Sequence, residues 1–94
     1  MTQWKALAMT LRQIAGGAAP VTLVVHEDDA SGGWQFLWLD NWEKGDLILV
    51  HPSHLLAEDP SLAQVRNLPR GRYASRANQQ AAWTYGDISE IETD

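Results

Sequence analysis

His51 and His54 stand three positions apart, a spacing that on one turn of helix would aim two imidazoles at a shared metal ion. Pro52 lies between them and no third ligand follows nearby, so the pair is expected to be structural or solvent-facing. His26 is read as a hydrogen-bonded residue at a strand end. Glu27, Asp28 and Asp29 offer three consecutive carboxylates. Acid–base catalysis needs a sheltered carboxyl with a displaced pKa, and adjacent residues at a turn point apart, so a solvated acidic turn is the expectation. Ser31, Ser53, Ser61, Ser75 and Ser89 lack the G-x-S-x-G context of a nucleophile elbow. Gly32-Gly33 is no phosphate loop, because no lysine follows and the neighbouring acids would repel phosphate. With no nucleophile, metal set or phosphate cradle, the chain is expected not to be an enzyme and to need no cofactor. A small hydrolase is the weakest alternative.

These groups must be placed by short elements. Trp4, Leu7, Ala8, Leu11, Ile14 and Ala15 recur at helical spacing, and Gly16-Gly17 follows as a C-terminal stop. The spacing predicts an N-terminal amphipathic helix over residues 4–15. The β-branched run 21–25 and the aromatic run 34–39 predict two strands joined by the acidic turn as a long hairpin. Residues 46–50 predict a third strand. Pro52-Ser53 opens a short helix, and Asp59-Pro60 starts another, with aspartate as cap and proline at the first helical position. Leu62, Val65 and Leu68 would face inward. Pro69-Arg70-Gly71 reads as a turn, 72–75 and 82–85 as short strands, and 87–94 as a segment that frays. The fold expected is α+β: a mostly antiparallel sheet with the N-terminal amphipathic helix and two short helices, in one domain over residues 1–94.

Composition narrows the function classes. The apolar fraction is 45% with five tryptophans, which suits a folded domain. There is no cysteine, so disulfides and thiolate metal sites are excluded and a reducing cytoplasm is the expected location. No apolar run approaches the roughly 20 residues of a membrane span, and the first residues lack the layout of a signal peptide. The net charge of −5 is segmented. Residues 27–59 carry eight acids against Lys44 alone, and residues 60–86 hold Arg66, Arg70, Arg72 and Arg76 with no acid. Such an acidic middle disfavours nucleic acid, whose phosphates want a basic face, and suits a cationic protein partner. Glu27, Asp28, Asp29, Asp40, Trp42 and Glu43 are therefore the expected partner-binding residues, with Asp40 and Glu43 on the same rim as the acidic turn. The Arg66–Arg76 segment is the other candidate interface, or else neutralises the acids internally. Trp34 and Phe36 share a strand face and are expected in the core.

In order along the chain, Gly33-Trp34-Gln35-Phe36-Leu37 resembles a G-W-R-F-F motif, with Gln35 and Leu37 at the variant positions. Ile48-Leu49-Val50 with Leu55-Leu56 resembles the strand and helix that follow it. Asp59-Pro60 resembles a D-P step, and Pro69-x-Gly71-x-x-x-x-Arg76 resembles a P-I-G-S-x-x-x-R segment. Together, over roughly residues 21–83, they resemble a family of bacterial immunity proteins from polymorphic and contact-dependent toxin systems. That resemblance implies a non-catalytic protein that binds a cognate toxin, an effector used in interbacterial competition through a secretion system, and occludes its active site. It implies that Gly33, Trp34, Phe36, Asp59, Pro60, Pro69, Gly71 and Arg76 are mainly structural. A protein-interaction or regulatory module of the same fold is the alternative. Neither the toxin nor the oligomeric state is specified.

Overall fold

In the computed structural model, residues 7–28, 32–40 and 42–91 are described. They form an α+β domain around one six-stranded sheet in the order β4-β1-β3-β2-β5-β6. The strands are β1 (Ala8–Leu11), β2 (Leu23–His26), β3 (Trp34–Leu37), β4 (Leu47–Val50), β5 (Arg72–Ser75) and β6 (Thr84–Asp87). Every pairing is antiparallel except β1 with β3. Short helices α1 (Arg12–Ala15), α2 (Pro52–Glu58) and α3 (Ile88–Ile91) and two 3-10 segments, Lys44–Asp46 and Pro60–Val65, complete it. No helix among the described residues is long and apolar enough to cross a membrane.

The expected N-terminal amphipathic helix does not form. Ala8–Leu11 is a strand, and only Arg12–Ala15 makes a helical turn; residues 1–6, Trp4 included, fall outside the described part. The reason is position. β1 lies inside the sheet between β3 and β4, so both of its faces accept apolar residues, and a mainly apolar segment also satisfies a helical spacing. Thr10 is fully buried there and its hydroxyl donates to the Phe36 carbonyl at 2.7 Å. The strand pairings outweigh the helix propensity of Ala8, Met9 and Leu11.

The hairpin is as expected. Val24 faces Phe36 and His26 faces Trp34, and the Glu27 amide donates to the Gly33 carbonyl at 2.8 Å to close the ladder. Side chains alternate across the strands, so Thr10, Phe36, Val24 and Ala74 line one row and all are fully buried. Trp34 joins that face, 4.0 Å from the His26 ring in a stacked pair, while His26 Nδ1 hydrogen-bonds the Leu68 carbonyl at 2.7 Å. Leu55, Leu62, Val65 and Leu68 belong to the same core cluster.

Asp59 caps the second short helix as expected, its carboxylate accepting from the Ser61 amide, with Pro60 next. The element is a 3-10 helix rather than an α-helix, and the buried positions 62, 65 and 68 follow its three-residue period. Strand β6 starts two residues later than expected, because Trp83 leaves the sheet line and packs on Arg76. Ile88 is buried at the start of α3, so residues 87–91 are anchored rather than frayed.

Strand direction sorts the loops into two ends. Glu27 and Asp28, the 69–71 turn and the end of β6 lie at one end of the sheet. Residues 16–20, 38–40, 42–46 and 76–83 lie at the other. Each strand of four residues at about 3.3 Å per residue keeps the two ends more than ~13 Å apart.

Candidate partner-binding site

At the hairpin end, Glu27 is half-buried and its carboxylate accepts from the Gln35 side-chain amide. Asp28 is exposed and lies against Gly71, where a β-carbon would sit 3.4 Å from its carboxyl carbon. Gly32 and Gly71 both hold positive φ, 59° and 83°, which suits glycine. A β-carbon on Gly32 would collide with the Arg70 guanidinium, which lies directly over that glycine. Asp29 falls outside the described residues. Arg72 pairs with Asp87 across the sheet edge at 3.2 Å. The Pro69-Arg70-Gly71 turn thus packs against Asp28 and Gly32 on either side of the acidic turn.

Asp40, Trp42 and Glu43 are at the opposite end, so they share no rim with Glu27 and Asp28. The strand pairing that builds the hairpin carries β3 away from the turn and delivers Asp40, Trp42 and Glu43 across the sheet. Asp40 and Glu43 are exposed; Trp42 is half-buried, packed on the core and walling a cleft of about 380 Å³ with Arg12, Gln13, Glu43 and Asp46. Asp46 is the centre of that cleft. Its carboxylate accepts from Gln13 Nε2 at 2.8 Å and from the Glu43 amide at 3.1 Å, and it pairs with Arg12 Nε at 2.9 Å. The Gln13 hydrogen bond, then the Glu43 amide, then the Arg12 charge hold the Asp46 pKa below its ordinary value despite some desolvation. Sequence reasoning missed Arg12, Gln13 and Asp46. Only the three-residue step from Glu43 to Asp46, a capping spacing ahead of an apolar strand, hinted at them.

The more developed site is on the helix side of the same end. A groove of about 460 Å³ is lined by Ile14 and residues 17–21, by Leu55, Glu58 and Asp59, and by residues 78–80. Arg76 ties its three walls together. Buried beneath the groove, it donates from Nε to the Val21 carbonyl at 3.0 Å, from Nη2 to Asp59 Oδ2 at 2.7 Å, and from Nη1 to the Gln79 carbonyl at 3.2 Å. Nη1 also donates to Ser61 Oγ at 2.8 Å, and the guanidinium stacks 4.0 Å over Trp83. The planar fork of arginine suits this role, since it spreads its donors over three nitrogens where lysine concentrates them on one. The side chain of Arg76 is 1% exposed and that of Asp59 12%, so the pair is enclosed. Asp59 and Arg76, singled out separately along the sequence, therefore meet in one structural node. Trp83 was not foreseen as its third member.

His51 and His54 are both exposed, and His54 Nε2 lies 3.8 Å from Glu58 one helical turn on. Among the described residues no three His, Cys, Asp or Glu side chains gather where a metal ion could be held. Comparison of the chain with protein-family models, with curated proteins and with solved structures finds no match.

Proposed function

We propose that the chain is a stoichiometric binding protein, an immunity protein that neutralises a cognate antibacterial toxin in the cytoplasm of the producing cell. The observation that carries the proposal is the Arg76 node. The D-P step and the terminal arginine of the P-x-G-x-x-x-x-R segment are among the residues that carry the resemblance to immunity proteins, and they close on each other as a buried ion pair. They do so underneath an open groove that a partner could enter. A rigid scaffold with recognition loops at its ends is the arrangement expected of a binding domain. The excess of acid over base in residues 27–59 favours a basic partner surface and fast, salt-sensitive association. Occlusion of the toxin's catalytic cleft then needs only tight docking.

Co-expression tests this. The product of the adjacent reading frame, expressed alone, should stop growth, and this chain should restore growth and purify with it in a fixed ratio. A neighbour that is harmless in every compartment, or toxic but not neutralised, refutes the proposal.

A further inference from the structure

We propose that the groove above Arg76 is a receptor for a single lysine or arginine side chain presented by the protein partner. The identity of that partner as a protein rests on the function proposed above; the chemistry of the groove does not.

The walls match such a side chain along its length. Ile14, Val21 and Leu55 supply apolar surface for the aliphatic stem, which long cationic residues bury readily. Glu58 stands at the rim as the counter-charge for the head group, its side chain half-exposed. Asn78, Gln79 and Gln80 place amide groups on the facing wall, where donors on a guanidinium or ammonium find acceptors. Charge decides the sign. No lysine or arginine lines the groove, and the one cation beneath it, Arg76, is already committed to Asp59 at 2.7 Å. The carboxylate of Glu58 is thus the one formal charge lining the groove that lacks a lysine or arginine partner among the described residues; its neighbour is His54 at 3.8 Å. The last carbonyls of α2 point the same way, because a helix carries partial negative charge at its C-terminus.

Preorganisation makes this more than a crevice. Arg76 holds all three walls by hydrogen bonds to Val21, Asp59 and Gln79, so a guest side chain does not have to order them on entry. Arg76 is a positioning residue here and touches no guest.

The test uses the intact chain and two blocked pentapeptides, one with arginine at the centre of four alanines and one with citrulline, which keeps the shape and lacks the charge. Backbone amides of the isotope-labelled protein are followed by NMR during titration at low salt. Arginine peptide should shift residues 17–19, 55–58 and 78–80 together, and citrulline peptide should bind several-fold more weakly. Glu58→Gln should weaken the arginine peptide about 2- to 5-fold, the size of a partly exposed ion pair. Ala18→Trp, at an exposed wall position, should block the groove without touching the core. The proposal is overturned if shifts gather instead at Glu27 and Asp28 or at Asp40 and Glu43, or if the two peptides bind alike. It is also overturned if Glu58→Gln and Ala18→Trp leave binding unchanged. The two proposals fail separately. A chain that binds the arginine peptide in the groove yet neutralises no toxin sinks the immunity function alone. A chain whose Ala18→Trp and Glu58→Gln variants both neutralise as well as wild type sinks the receptor alone.

Discussion

Replacing Arg76 with methionine keeps the aliphatic stem and deletes the guanidinium, which isolates the energetic role of the charge. Asp59 would lose its 2.7 Å partner while staying nearly enclosed, with only the Ser61 amide and hydroxyl left to it. Breaking one side of a buried pair costs about 3–5 kcal/mol, because the remaining charge is stranded away from water. The Val21 and Gln79 carbonyls would lose donors too, adding about 1 kcal/mol each wherever water cannot replace them. Against a total stability of roughly 5–15 kcal/mol for a domain, Arg76→Met removes about a fifth of it at the least. Asp59→Asn alone should cost less, since Arg76 keeps Val21, Ser61, Gln79 and the Trp83 ring. The double variant should then cost less than the two singles added, with a coupling on the order of 0.5–3 kcal/mol. Urea unfolding followed by tryptophan fluorescence measures all four proteins, with midpoints compared at a common slope. An Arg76→Met midpoint equal to that of wild type, or strict additivity of the two singles, would refute the enclosed node.

Two further outcomes follow from the same structure. Trp34→Ala should cost on the order of 3–5 kcal/mol, because the ring is 7% exposed and stacks on His26; an unchanged urea midpoint would place Trp34 outside the core. Asp46→Asn should flatten the acid limb of stability. The Asp46 pKa is held below 3.8 in the fold, so its contribution is complete above that value and fades as pH falls through the lower folded value. Melts from pH 7 to pH 2 should show wild type losing its advantage over Asp46→Asn only below about pH 4; a gap that stays constant to pH 2 refutes the account.

What the chain declared in advance was local. The hairpin was legible because β-branched and aromatic residues alternate on either side of a polar turn. Asp59-Pro60 was legible because capping is settled within three residues. The first strand was not, since an apolar run such as Leu7 to Leu11 satisfies helical and extended spacings equally, and its partners β3 and β4 are distant in sequence. The charged pairings were hidden for the same reason. Arg76 meets Asp59 17 residues away and Gln13 reaches Asp46 over 33, separations that no local pattern encodes. Of the six acidic and aromatic residues expected to form one surface, Asp28, Asp40 and Glu43 are exposed, Glu27 and Trp42 are half-buried, and Asp29 lies outside the described residues. The direction of β3 sends Glu27 and Asp28 to one end of the sheet and Asp40, Trp42 and Glu43 to the other.

The placement of β1 bears on how the molecule assembles. This strand is synthesised before both of its neighbours, and its slot exists only after β3 has formed on one side and β4 has been made on the other. Thr10 and Phe36, joined across that slot, are 26 residues apart, and β4 comes later still. A nascent chain therefore carries Ala8–Leu11 unpaired while the β2–β3 hairpin, a local structure, closes on a timescale of microseconds. Seating β1 is a non-local step, as is the pairing of β5 with β2, and β4 joins the sheet through β1 alone. The domain should consequently gain β1 and β4 as one cooperative event, and a ribosome stalled before residue 50 should hold a hairpin with no completed sheet.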